Sequence, residues 1–377
     1  MKNFYEFFAG GGMAHAGLGD TWSCSFANDF CEKKSTSYIA NWGDKHFVPG
    51  DIKNVVSVQL PGCADLAWAS FPCQDLSLAG NGVGLNGQRS GTFWAFIKLM
   101  QKLREENRKP RIIALENVYG ALTSHGGKDF EAILEAVVSE GYRVGAMIID
   151  AVHFLPQSRP RLFIIAIDNN LHVPNQLLAK KINPVWHPPS IVKAHENLSP
   201  KLKDNWLWWD LPFPEISPQT LIDVVHGSVD AVSWHSKTET DHLLGLMSDI
   251  NLKKVDNARK SGTVKVGTIY RRTRLGMQRA EVRFDGIAGC LRTPGGGSSR
   301  QTIIRVDGGE VKTRLLSARE AACLMGLDNT YILPTRYNDA YHIAGDGVAV
   351  PVVSHLAKNI FDPIIEQNRV TQLISAA

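Results

Sequence analysis

A chain of 377 residues with 44% hydrophobic content is long enough for a large core and more than one lobe, and its formal charge of +4 excludes a strongly acidic or strongly basic protein overall. Its six cysteines (Cys24, Cys31, Cys63, Cys73, Cys290 and Cys323) form no C-x-x-C pair, which argues for a reducing compartment and against a zinc site or a disulfide scaffold. The N-terminus shows no basic segment ahead of an apolar run, and no uninterrupted apolar stretch reaches the roughly 18 residues of a membrane span, so a cytoplasmic protein with no membrane contact is expected.

The first half alternates short apolar runs with helical patterns. "NFYEFFAG", "SCSFAND", "ADLAWASF", "RIIALENV", "YRVGAMIID" and "RLFIIAID" read as strands buried on both faces. Between them, Phe93, Phe96, Ile97, Met100 and Leu103 recur at helical spacing, as do Phe130, Ile133, Leu134 and Val137. Strand and helix in alternation predict an α/β fold with a doubly wound, mostly parallel sheet, in which ligands sit beyond the carboxyl ends of the strands.

The first strand runs into "FFAGGGMAHAGLG", where Gly10 to Gly12 make a tight turn into a helix whose start favours an anion. Asp29 ends the next strand about twenty residues on, placed to accept hydrogen bonds from a ribose diol, and Asp51 offers a further acid at a third strand end. These features suit an adenosine-bearing cofactor, a dinucleotide or S-adenosylmethionine. Cys73 follows the strand "DLAWASF" directly behind Pro72, which fixes its own φ and drives Phe71 towards extended geometry. Glu116 closes the following strand at the same edge, where a carboxyl held out of water can donate a proton to a substrate base. Arg159 and Arg161 alternate in "PQSRPRLFIIA" and are expected to project to one face.

After about Asp168 the pattern breaks into stretches rich in Pro, Gly and Ser, and a smaller, irregular, β-leaning domain is expected over 170–316. Residues 1–169 would then form the first part of the larger domain and 317–377, where helical pattern returns, would complete it. "NWLWWDLPFP" is expected to pack between the two lobes. Between Asn251 and Glu320, 16 Lys and Arg face 6 acids, which makes that segment +10 and leaves −6 for the rest. One basic region on an acidic body suggests a polyanion, and few aromatics interleave with the charges, so duplex phosphate contact fits better than single-strand stacking.

Taken together, "FAGGG", "FPCQ", "ENV", "QSRPR", "RLLSAREAACLMG" and "GDGVAVPVV" resemble, in order and spacing, the motifs of the cytosine-C5 DNA methyltransferases. The resemblance spans nearly the whole chain and implies a Rossmann-like S-adenosylmethionine-dependent catalytic domain with an inserted target-recognition domain. It implies Cys73 as the nucleophile at C6 of a flipped cytosine, Glu116 as the group on N3 and the exocyclic amine, and Arg161 on O2 with Arg159 nearby. For the cofactor it implies Phe8, Gly10 and Gly12 at the turn, Asp29 on the ribose, Phe30 against adenine, Asp51 and Ile52 at the adenine edge, and Pro72, Phe93 and Val348 lining the pocket. Met13 stands where the family usually has glycine, and Asp346-Gly347 where it usually has asparagine and a variable residue. For DNA it implies the glycine-bearing loop after Cys73, with Gln74, Ser77 and Arg89, together with the basic segment. There Arg292, Ser298, Arg300 and Gln301 are candidates near the bases and Arg271 and Arg272 near phosphates.

The implied activity is sequence-specific methylation of duplex DNA, giving S-adenosylhomocysteine as second product, without a metal. The implied setting is a bacterial cytoplasm, associated with the nucleoid through DNA, where a monomer protects host DNA from a restriction endonuclease without a stable complex. The rival readings are a tRNA methyltransferase of the same family and a catalytically inactive DNA-binding regulator. An NAD-dependent oxidoreductase would share the glycine turn and Asp29 but has no use for Cys73, Glu116 and two arginines in this order.

Overall fold

The computed structural model describes residues 1–72, 91–215, 219–226, 232–274, 276–293 and 300–376. It divides into two compact units, the first made of 1–150, 160–214 and 350–377, the second of 151–159 and 215–349.

The first unit is built on a seven-stranded sheet of order β3-β2-β1-β4-β5-β7-β6. Its strands are β1 (Lys2–Phe7), β2 (Trp22–Asp29), β3 (Phe47–Pro49), β4 (Leu66–Ala69), β5 (Ile112–Val118), β6 (Tyr142–Asp150) and β7 (Pro160–Asp168). β1 to β5 pair in parallel, while β7 runs antiparallel to both β5 and β6. Central strands carry apolar residues on both faces, as the unbroken burial of Leu66–Ala69 and of Ile112–Leu115 shows, because helices cover the sheet. The predicted helices are Thr92–Glu105 and Lys128–Ser139, whose buried faces join Phe7, Phe71 and Ile113 in the main core.

The boundaries differ from those expected. Residues 170–214 belong to the first unit, and 317–349 to the second. "NWLWWDLPFP" packs inside the first unit: Val144 N–H donates to Asn205 O (2.8 Å), Leu207 N–H donates to Val144 O (2.7 Å), and the Phe130 and Trp206 rings meet at 6.4 Å. Gly145 is required there, since a Cβ would fall 2.1 Å from Leu207 O. The aromatic run thus covers the β6 edge of the sheet, which would otherwise be left open.

The second unit carries an antiparallel four-stranded sheet of order β11-β10-β8-β9, with β8 (Lys265–Arg274), β9 (Met277–Arg283), β10 (Thr302–Asp307) and β11 (Glu310–Leu315). It is less β-dominated than expected, because the helices Leu221–His226, Lys237–Gly245 and Asp249–Arg259 belong to it. Val255 and Ala258 of the last helix pack on Ile269, Val282 and Ile304. Ser236 and Glu239 cap the helix Lys237–Gly245 reciprocally, a signature the sequence carries. The stretch Tyr337–Thr371 has the length and mean hydropathy of a membrane span, yet 56% of its apolar window is buried inside the protein, as in a core helix.

Candidate active site

The strand order reverses at β1, which lies between β2 and β4, and this is where a doubly wound sheet opens a crevice at its carboxyl edge. The residues after β1, β2, β3, β4 and β5 therefore share one edge, and β7, running the other way, brings its first residues to that same edge.

After β1, Phe8 adopts φ 56°, a left-handed conformation that a bulky residue holds only when its surroundings force it. Gly10 and Gly12 follow with φ 57° and 77°, and each is glycine for its own reason. Around Gly10 a Cβ would meet nothing within 4 Å, which leaves the backbone open to a ligand. At Gly12 a Cβ would lie 2.2 Å from Trp42 Nε1, so packing excludes it, and that same indole N–H donates to Gly11 O (3.1 Å). Met13, fully buried, begins a helix that ends at Leu18, too short to present the anion-attracting terminus expected of it.

The buried Asp29 carboxylate accepts the Gly10 N–H at Oδ2 (2.8 Å) and the Cys31 N–H at Oδ1 (2.7 Å). Two bonds leave lone pairs on a carboxylate that can accept about four, so its direction is fixed and its capacity for a diol retained. Asn28, also buried, ties β2 to β3 by donating to Val48 O (2.7 Å) and Gly50 O (3.0 Å). Phe30, next to Asp29, is 79% exposed. Asp51 accepts the Lys53 N–H (3.0 Å) at the start of a short 3-10 turn, and Ile52 is buried. Phe93 is wholly buried with its ring 4.9 Å from Phe71, so it supports the crevice as a core residue. Pro72 is half-buried, and Val348 is buried in the second unit.

Across the edge, Val118 of β5 stands opposite Arg161 of β7, and Arg161 Nε reaches Glu116 Oε1 at 3.2 Å. Their side chains are 15% and 8% exposed, a nearly dry ion pair that fixes the carboxylate's position. Asn117 donates from Nδ2 to the Phe71 carbonyl (3.3 Å), tying β5 to the residue that precedes Pro72 and Cys73. Reading the sequence missed Asn117, Asn28 and Trp42. Only Asn117 had a signal, its place within "ENV".

Arg159 does not join Arg161. It lies ahead of β7, 2% exposed, and donates to Leu291 O (2.9 Å), Gly345 O (2.9 Å) and Gly347 O (2.7 Å) in the second unit. The expectation that both arginines share a face fails because strand alternation begins only at Pro160. Gly345 is also required by close backbone approach, a Cβ there falling 2.9 Å from Thr293 N, and Asp346 bonds the Thr293 hydroxyl. The Gly345–Gly347 stretch is thus braced from two sides, with the departing Asp346 as one of the braces.

Among the DNA candidates, Arg271 and Arg272 lie on the β8–β9 ribbon, whose outer part is exposed on both faces. Arg272 stacks on Tyr270 (4.9 Å) and pairs with Glu281 (3.6 Å). Arg292 is exposed, and Arg300 lies over the Tyr337 ring (5.3 Å) and bonds Asn338. Gln301 is buried, its amide against Gly289, so it is not offered to a base. Cys73, Gln74, Ser77, Arg89 and Ser298 lie outside the described residues.

The family model for C-5 cytosine-specific DNA methylase matches residues 2–362. Type II methyltransferase M.BsuFI of Bacillus subtilis is 26% identical over 94% of this chain and 71% of its own length. Type II methyltransferase M.HhaI of Haemophilus parahaemolyticus is 24% identical over 95% of this chain and 93% of its own. Among solved structures, S. pombe Dnmt2 methyltransferase shares the fold at 14% identity and a TM-score of 0.58, over 96% of this chain and 99% of its own. Entamoeba histolytica methyltransferase EhMeth shares it at 15% and 0.62, over 96% and 98%.

Proposed function

This chain belongs to the C-5 cytosine-specific DNA methylase family and methylates DNA cytosine at C5 with S-adenosylmethionine, and from that premise we propose how its residues divide the work. The observation that carries the assignment is the Arg161–Glu116 pair at the carboxyl edge of the sheet, one strand from the end of β4, where the chain leads into Cys73. Cytosine C5 is a poor nucleophile until a thiolate adds to C6. Cys73 makes that bond, the displaced ring electrons reach N3, and Glu116 passes to N3 the proton that the thiol gives up. Arg161 holds Glu116 in place and offers its remaining N–H donors to the O2 side of the ring. S-adenosylmethionine supplies an electrophilic methyl group on a sulfonium, which is why the methyl transfer needs no metal. Loss of the C5 proton to solvent then expels the Cys73 thiolate, N3 returns its proton to Glu116, and aromaticity is restored.

The donor set fits such a cofactor: the Asp29 carboxylate for ribose hydroxyls, the open Gly10 backbone, the exposed Phe30 face for adenine, and Asp51 with Ile52 at its edge. A base must leave the stack to reach this edge, as methyltransferases generally require. The second unit supplies duplex contact through the β8–β9 ribbon, because a two-stranded ribbon fits a major groove about 12 Å wide. Arg271 and Arg272 contact phosphates, with Arg292 and Arg300 nearer the bases. The protein acts as a monomer, one target strand at a time, on DNA in a bacterial cytoplasm, beside a restriction endonuclease to which it is not stably bound. The Type II names of its bacterial relatives support that setting.

The test is base-resolution mapping of 5-methylcytosine in DNA from a methylation-free bacterial host. One methylated motif with the wild type and none with Cys73→Ser is expected. Methyl incorporation confined to tRNA, or an active Cys73→Ser protein, would overturn the reading.

A further inference from the structure

Behind the glycine turn, in the first unit, lies a buried polar cluster that the reaction does not use. His15 of the helix Met13–Leu18, Cys24 of β2 and His46 just ahead of β3 converge on the hydroxyl of Tyr38 in the helix Glu32–Trp42, with the Glu6 side chain of β1 beside it. His15 Nδ1 lies 3.0 Å from that oxygen, His46 Nε2 3.1 Å and Cys24 Sγ 3.5 Å. A phenol donates one hydrogen bond and accepts two at most, so these three contacts fill its capacity. Glu6, 1% exposed, has an Oε2 with no hydrogen-bond partner among the described residues. A buried carboxyl oxygen without a partner, beside two imidazoles and a thiol, leaves polar capacity unused in the cluster.

We propose that His15, Cys24 and His46 form a binding site for a zinc-class divalent ion, with the Tyr38 oxygen as a fourth donor. The candidate ligand atoms of the three residues lie within 4.8 Å of one another. Zinc–nitrogen and zinc–sulfur bonds of about 2.0–2.3 Å set tetrahedral edges of roughly 3.3–3.6 Å. The Cys24–Tyr38 distance of 3.5 Å matches such an edge, the two imidazole distances to the Tyr38 oxygen fall about 0.3 Å short of it, and the ligand atoms farther apart close by about 1 Å through imidazole rotation. Two nitrogens and a sulfur select borderline transition ions over magnesium or calcium. On binding, Cys24 releases its thiol proton to solvent, and the thiolate offsets part of the ion's charge. Half-exposed His46 provides the way in. Cysteine spacing could not reveal the site, because each ligand comes from a different element.

The experiment is a Co²⁺ titration of chelator-treated full-length protein, followed by the thiolate-to-cobalt charge-transfer band and the visible d–d bands, with Zn²⁺ competition. One saturable equivalent displaced by Zn²⁺ is expected, with the charge-transfer band lost in Cys24→Ala and affinity about tenfold or more weaker in His46→Gln. The site is refuted by absence of saturable binding, or by variants that bind as the wild type does. If Cys24→Ala does not fold, as judged by thermal unfolding, His46→Gln at its half-exposed position decides alone.

Discussion

Arg161 reaches a carboxylate across two strands of the first unit, whereas Arg159, two residues earlier, spends its guanidinium on three backbone carbonyls of the second. Both belong to "QSRPR", and composition makes them equivalent. Position relative to Pro160 separates them: inside the strand, the side chain is delivered to a sheet edge where chemistry is possible, and outside it the side chain becomes a brace. Residues of one motif therefore need not share one role, and the difference can be measured.

The widest separation should come from Glu116→Gln, which keeps the shape and a hydrogen bond to Arg161 but removes the proton donor. Single-turnover methylation is expected to fall by about 10²–10⁴-fold, with thermal unfolding little changed. Arg159→Met should do the reverse. Buried carbonyls left without a donor cost about 1–3 kcal/mol each, so a loss of about 3 kcal/mol or more is expected in denaturant unfolding, larger than any loss of rate per folded molecule. An activity loss in Arg159→Met matching that of Glu116→Gln, at unchanged stability, would erase the distinction.

Asn117→Ala sharpens the comparison from between the two. It removes one hydrogen bond to the Phe71 carbonyl, worth about 1 kcal/mol, and should slow single-turnover methylation several-fold while S-adenosylhomocysteine affinity, read by calorimetry, stays put.

The smallest effect concerns His187, 1% exposed beside Trp208, whose imidazole burial pulls down to about 4. The folded protein keeps it neutral where the unfolded chain protonates it, so stability is lost as pH falls from about 6.5 towards 4. His187→Phe should flatten that acid limb in thermal melts and leave pH 7 to 8 unchanged.

The parallel sheet was legible because its strands are apolar on both faces and closed by turn residues, and Gly10, Asp29 and Glu116 were legible because each lies at or near the carboxyl end of a strand. Gly12 was legible as a turn glycine, which its φ of 77° bears out, but its second constraint, packing against Trp42 thirty residues away, was not. Arg159 was misplaced by carrying strand alternation one residue too far. The Trp206–Trp209 run was misplaced too, because proline-rich spacing hides that Asn205 and Leu207 pair with the β6 edge. The helix Asp249–Arg259 was missed because only a narrow stripe, Val255 and Ala258, is buried beneath many charges.

Gly17 fits against Val353 so closely that a Cβ would lie 2.4 Å away, and Ser354 Oγ donates to the Gly17 carbonyl (2.7 Å). That carbonyl leaves the ribosome 337 residues before its partner does. The helix that follows the glycine turn therefore waits, throughout synthesis, for the last part of its own domain. A chain that ends before Val353 carries the glycine turn and its helix without the contact that Gly17 makes with Val353 and Ser354. Fragments that stop short of Val353 and Ser354 are therefore expected to lack the packing behind the glycine-turn helix.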